Sequence, residues 1–279
     1  AESLHLSPPT LSIQLKALEE ELGKQLLIRG TKGSRKVLLT DEGMILRKRA
    51  EEILTLVQKA KSEVQMTDAS IAGDVYIGAG ETDIIRYFAR AAKRMKKSCP
   101  DIRYHISSGN AQFVTEQLDK GLIDFGLMYG PVDRTKYEAL MLPIGDRFGV
   151  LMRRDDPLAQ KEWISPEELR DKPLILSAQD RSEGWTVSSQ IRQDVSHLNV
   201  AATYNLIFNA SLMVEEGLGY AVCLDKLINT SGDSQLCFLP LRPEIVITPS
   251  IVWKRYQVFS KASERFLQEL TSVMDLPQK

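Results

Sequence analysis

Ser7 to Gly23, SPPTLSIQLKALEEELG, holds the first residues whose types and spacing offer a chemistry. At 100° per residue, Pro9, Ser12, Ile13 and Lys16 fall on one helical face, opposite a stripe of Leu11, Leu15, Leu18 and Leu22. That face is small, apolar and singly basic, which suits entry into a nucleic-acid groove, where an isoleucine touches a thymine methyl. A basic run follows. Arg29, Lys32, Arg35, Lys36, Arg47, Lys48 and Arg49 stand against Asp41 and Glu42, a local net charge of +5 in a chain whose net charge is −1. Affinity for phosphate is therefore concentrated here and not spread over the surface. A solvated charged face is the plainer reading of such a run taken alone. No catalytic constellation accompanies it: the chain has no Gly-x-Ser-x-Gly elbow, phosphate loop or Gly-x-Gly-x-x-Gly, and His5, His105 and His197 lack metal-ligand spacing.

The elements that must position these residues are well punctuated. Ser7 is placed to cap the first helix, Pro8 and Pro9 sit where a missing N–H costs nothing, and Gly23 stands where a helix needs a left-handed stop. Thr40 caps a second, long helix running to about Met66, with Asp41 and Glu42 in its first turn. Along it Leu46, Ala50, Ile53, Val57, Ala60 and Val64 form an a/d seam that one helix cannot bury alone, so a second copy of the chain is implied; packing back onto its own chain is the alternative.

After a small and polar break at 67–73 the rhythm changes to strand and helix alternating, which argues for α/β architecture with parallel sheets. Strands are expected at 74–79, 102–107 and 124–128, with helices at 83–97 and 111–120 between them. A capping box at Ser165 to Glu168 opens a helix, and a strand at 172–177 follows. Then come a helix near 185–194, an extended stretch at 199–206, a helix at 210–216 stopped by Gly217, a strand at 219–224, a return segment at 245–254 and a closing helix at 260–274.

The first helix, the basic stretch after it and Leu39-Thr40-Asp41-Glu42-Gly43 together resemble the winged helix-turn-helix of LysR-type transcriptional regulators. GDVYIGA, GLIDFGLMYGP and the crossing segment FGVLMRRDDP resemble the same family's effector domain, which is built like the periplasmic solute-binding proteins. The resemblance implies a fold of α plus α/β parts. Residues 1–40 would be the winged helix-turn-helix, 41–67 a dimerising linker helix and 73–279 the effector domain, with lobe I at 73–149 and 250–279 and lobe II at 150–249.

It also implies that Pro8, Pro9, Ser12, Ile13, Lys16, Lys32, Arg35 and Lys36 face double-stranded DNA, and that Gly80, Thr82, Ser108, Asn110, Tyr129, Ser177, Asn209 and Ser211 face a small-molecule metabolite. Each of the latter also has a plain helix-capping explanation. Dimers, and tetramers made of dimers, are usual in the family. Two departures stand out in the first helix: Pro8 where the family often has Gln, and Ile13 where it often has Arg. A third is Glu81, in a loop that is commonly small and uncharged. The family's preceding helix is missing ahead of Ala1-Glu2-Ser3-Leu4-His5-Leu6, which suggests truncation.

Length and composition agree with this reading. A chain of 279 residues with 43% hydrophobic content suits two or three domains. Cys99, Cys223 and Cys237 are odd in number and widely spaced, which supports neither a disulfide framework nor a zinc site. No apolar run reaches membrane-spanning length, so no membrane is expected and a reducing cytoplasm is the simplest home. The expected function is regulation of transcription by a DNA-binding protein that is not an enzyme, needs no cofactor and answers to a small molecule. The alternative is a solute-binding or transport-associated protein with a helical accessory segment.

Overall fold

The computed structural model describes residues 6–29, 37–65, 71–178 and 198–275, with the side chains of 62–65 outside that description. Lys32, Arg35 and Lys36, the side chain of Val64 and the helix expected near 185–194 therefore lie outside the described residues. The chain divides into two compact units, residues 1–61 and 62–279.

In the first unit, α1 spans Pro8–Leu22. The Ser7 hydroxyl accepts from Thr10 N at 3.3 Å, and Gly23, at φ +62°, ends the helix in the left-handed conformation. Leu11, Leu15 and Leu18 are half-buried, whereas Leu22, at the last turn before the chain reverses, is exposed. A two-stranded antiparallel hairpin follows, β1 (Leu27–Arg29) with β2 (Val37–Leu39), in the register Leu27–Leu39, Ile28–Leu38 and Arg29–Val37. The Glu19 carboxylate of α1 accepts from Leu26 N at 2.8 Å and Leu27 N at 3.0 Å and meets Arg29 at 3.3 Å, which fixes the angle between helix and hairpin. These backbone donors, then Arg29, hold that carboxyl below its usual range.

The helix α2 spans Asp41–Gln65. The Thr40 hydroxyl donates to Gln25 O at 2.7 Å and accepts from Gly43 N at 3.0 Å, so one side chain caps α2 and ties it to the entry of β1.

The second unit contains two sheets. The first has the order β4–β3–β5–β13–β6, from β3 (Gly73–Ala79), β4 (Ile102–Ser108), β5 (Phe125–Met128), β6 (Tyr137–Met141) and β13 (Ser250–Lys254). Strands β3, β4 and β5 are mutually parallel, and β13 runs antiparallel to β5 and β6. Helix α3 (Ile85–Met95) and the closing helix cover one face, burying Phe88, Met95 and Phe266 against Ile77 and Phe125. Helix α4 (Ala111–Asp119) covers the other through Val114 and Leu118.

The second sheet has the order β11–β7–β10–β8–β9, from β7 (Asp146–Arg153), β8 (Leu174–Ser177), β9 (Val200–Tyr204), β10 (Tyr220–Leu224) and β11 (Leu236–Pro240). Here β8, β9 and β10 are parallel. Helix α5 spans Ile207–Glu215, and the closing helix of the first sheet, α6, spans Lys261–Met274. The chain has entered the second sheet by Phe148 and leaves it through β12 (Val246–Ile247), whose pairing with β7 (Val246–Arg147, Ile247–Asp146) bonds the two crossing segments to each other.

Two expected elements differ. The capping box at Ser165 and Glu168 is present, but it opens only a single 3-10 turn, Pro166–Leu169. Helix α5 begins three residues before the expected 210, because its first turn takes no cap from its own sequence.

Gly43 decides how α2 meets the hairpin. A Cβ there would lie 2.2 Å from the carbonyl oxygen of Leu26. Helix propensity favours alanine by about 1 kcal/mol, but that overlap is with backbone, and overpacking costs about 1–3 kcal/mol. Gly43→Ala is expected to lower the melting temperature of the first unit and leave that of the second unchanged, measured by calorimetry on the full chain.

Candidate functional site

In the first unit, the face expected to meet DNA is open. Ile13 is 69% exposed, Ser12 and Pro9 are exposed beside it, and Lys16 lies 3.6 Å from Glu20 in an exposed i, i+4 pair that water and salt screen. Pro8 is likewise exposed, at the first helical position. Along α2 the apolar side faces outward: Ile53 is 58% and Leu54 62% exposed, Val57 and Ala60 are exposed, and Leu46 and Ala50 are half-buried. The covered side carries Glu52, Thr55 and Lys59, the last only 8% exposed. An amphipathic helix with its apolar face in water has that face available for a partner.

In the second unit, both sheets share one device. The chain leaves β3 for α3 and β4 on one side, then returns through α4 to β5 on the other side of β3. The strands β9 and β10 flank β8 in the same way. At such a point neighbouring connections diverge and the carboxyl ends of the strands open a crevice. The two crevices share a single cavity. Gly80 and Glu81 follow β3 into it, Gly109 and Asn110 follow β4, and Met128 and Tyr129 close β5; Leu176 and Ser177 end β8, Tyr204 and Asn205 end β9, and Val222 and Leu224 come from β10. Phe148 and Ile247 of the crossing segments, with Leu127, Ile207 and Leu227, complete a wall that is mostly apolar.

Of the eight residues expected here, the structure brings Gly80, Asn110, Tyr129 and Ser177 together. Asn110 also caps α4, its Oδ1 accepting from Phe113 N at 2.9 Å. The other four stand elsewhere. Thr82 is buried behind the cavity, its hydroxyl accepting from Ile84 N at 3.0 Å and donating to Asp146 Oδ2 at 2.5 Å. Ser108 ends β4 with its side chain exposed. Asn209 lies exposed on α5, and Ser211 is buried inside α5 with its hydroxyl on Phe208 O at 2.7 Å. The residues that sequence reasoning missed, Tyr204 and Asn205, occupy the loop vacated once α5 is seen to start at Ile207.

Asp146 is buried outside the cavity lining, behind Tyr129. Its carboxylate accepts from Thr82 and from the Tyr129 hydroxyl, so Tyr129 offers the cavity its ring while its hydroxyl is engaged. Burial raises the Asp146 carboxyl above its ordinary value, and Asp83 adds to this; the two hydroxyls and Lys226 pull the other way. Burial, then the Asp146 charge, raises the Tyr129 phenol. Neither Cys223 nor Cys237 is an activated thiol: Cys223 is buried and pushed up to about 12 by that burial, and burial also raises Cys237. Among the described residues no group of three His, Cys, Asp or Glu side chains is placed to hold a metal ion.

The Asp146 carboxyl binds its proton more tightly in the folded than in the unfolded chain. Its contribution to stability is therefore fully present below the ordinary carboxylate value and lost as pH rises through the raised one. Asp146→Asn, which holds an acceptor without the charge, is expected to flatten that part of the pH–melting profile and leave the melting temperature at pH 7 equal or higher. Asp146→Ala orphans two hydroxyls and is expected to cost about 1–3 kcal/mol at every pH.

Comparison with known proteins gives the following. The LysR substrate binding domain family matches residues 68–275, and the family of bacterial regulatory helix-turn-helix proteins, lysR family, matches residues 1–44. The chain is 26% identical over 247 residues to the uncharacterized HTH-type transcriptional regulator YvbU of Bacillus subtilis, covering 88% of this chain and 79% of that protein. It is 27% identical over 277 residues to a probable RuBisCO transcriptional regulator of Synechocystis, covering 97% and 79%. Among solved structures, full-length CbnR in complex with its target DNA has the same fold, at TM-score 0.71 and 16% identity over 98% of this chain and 92% of that one.

Proposed function

The chain belongs to the LysR family of bacterial helix-turn-helix transcriptional regulators, and from that premise we propose which residues carry its two activities. It is a DNA-binding regulator of transcription with a small-molecule-binding domain, and not an enzyme. In our reading α1 is the helix that enters the major groove. Ser12, Ile13 and Lys16 are its groove-facing side chains, Pro8 and Pro9 set its start, and Lys32, Arg35 and Lys36 of the wing reach phosphates. The observation that carries this is Ile13, an apolar side chain 69% exposed on the side of α1 opposite the half-buried Leu11, Leu15 and Leu18.

The effector site is the cavity at the strand ends, with Asn110, Ser177 and Asn205 as its polar contacts and Gly80 and Tyr129 in its wall. Members of the family oligomerise. For this chain we place the dimer seam on Leu46, Ala50, Ile53, Val57, Ala60 and Val64, and expect dimers to pair further into tetramers. Among the described residues no helix is long and apolar enough to cross a membrane. We place the protein with its DNA in the cytoplasm.

Two substitutions test the DNA half. Ile13→Ala is expected to change preference at one base pair per half-site, costing about 1 kcal/mol there, with non-specific binding and melting temperature unchanged. A melting drop of many degrees with unaltered preference would make Ile13 a structural residue. Ile53→Asp puts a charge into the seam and is expected to yield smaller species by light scattering and to lose operator binding, with the second unit still folded. An unchanged mass would remove the seam assignment.

A further inference from the structure

Helix α5 has no cap of its own: Leu206 stands at its N-cap with no side-chain bond, and its first turn has no acidic residue. The bond to its first amide comes from the opposite lobe. Glu81, on the loop after β3, places Oε2 2.5 Å from Ile207 N, 126 positions along the chain. A helix N-terminus carries unpaired N–H groups and partial positive charge, and so attracts an anion. Here the protein's own carboxylate is the anion. The described residues of the wall give a second anion no cation to pair with. Among the described residues lining the cavity there is no Lys, Arg or His; Glu81 is the only charged side chain there, set among apolar groups such as Phe148, Leu176 and Val222. A ligand carboxylate would have to displace Glu81 from the amide or lie beside it in surroundings that strengthen like-charge repulsion.

We propose that Glu81 is the specificity-determining residue of this cavity: by filling the anion position at the α5 N-terminus from the other lobe, it selects uncharged or cationic, mainly apolar small molecules and excludes carboxylates. The proposal rests on the reading of the cavity as the effector site. Asn110, Ser177 and Asn205 then hold a neutral polar group of the ligand, and Glu81 answers a cationic one.

The experiment uses three probes that share one ring and differ in charge, cyclohexanecarboxylate, cyclohexanol and cyclohexylamine, titrated by calorimetry into the full chain, into Glu81→Ala, and into Glu81→Ala carrying Ser177→Phe to fill the cavity. The parent is expected to bind the carboxylate more weakly than the alcohol and the amine. Glu81→Ala is expected to gain at least tenfold for the carboxylate, about 1.4 kcal/mol, and to lose affinity for the amine. The gain is expected to vanish in the filled variant. Should Glu81→Ala fail to fold, Glu81→Gln, which retains an acceptor for Ile207 N, is expected to show a smaller gain of a few-fold. An unchanged carboxylate affinity in the folded variant, or a parent that binds all three probes alike, overturns the assignment of Glu81. A carboxylate gain that survives in the filled variant overturns the cavity as the binding site, a failure distinguishable from the first.

Discussion

The buried carboxylate of Asp146 ties the crossing between the two sheets of the second unit to the first sheet. Asp146 stands where the chain first crosses between sheets, and it accepts from Thr82 on the loop after β3 and from Tyr129 at the end of β5. Because a buried acceptor must be paired and a buried hydroxyl must find one, neither partner is free to drift. The crossing strand is thereby pinned to the carboxyl ends of two parallel strands of the first sheet. The second crossing is pinned in turn, since β12 pairs with β7 at Asp146 and Arg147. Gly80, Glu81 and Tyr129 of the cavity wall stand beside these bonds, and Phe148 and Ile247 lie on the segments they join. Loop residues then serve as binding groups without being soft, because their ends are tied to a rigid scaffold.

What the sequence made legible divides along the range of the interaction involved. The start of α1 was readable from Ser7, Pro8 and Pro9 because its cap acts over three residues, and its end from Gly23 for the same reason. The apolar stripe along α2 was readable because helical period is local, and Ile53 and Val57 of that stripe are exposed. The parallel strands were readable as apolar runs between helices. The start of α5 was not, because its cap, Glu81, comes from another lobe; Asn209 and Ser211, expected at the cleft, lie inside the helix. Thr82 was read as a ligand group on the strength of its place in a loop, and its partner Asp146 lies 64 residues away. A hydroxyl at a strand end looks the same in sequence whether it faces a ligand or a buried carboxylate. Glu81 was visible as an unusual residue, but its partner was not.

The same long-range contact bounds what a ligand must do to act as a signal. A small molecule shifts the arrangement of two lobes only by as much as it prefers one arrangement over the other. Moving the population from 1:99 to 99:1 takes about 5.5 kcal/mol of preference. At about 25 cal/mol per Å², that corresponds to burying roughly 220 Å² of apolar ligand surface in one arrangement and not in the other. The cavity wall is of the right kind for this, because Leu127, Phe148, Leu176, Val222 and Leu224 come from both sheets and from the crossing between them. Glu81 sets the baseline against which that preference is measured. Its bond to Ile207 N already joins the lobes with no ligand present, so a ligand that keeps the bond adds its burial to an arrangement already favoured. One that breaks it must first replace a carboxylate–amide contact. On our proposal, an apolar molecule with a neutral or cationic head keeps that bond and adds its burial to it, whereas a carboxylate would have to break the bond before it could bind and is excluded.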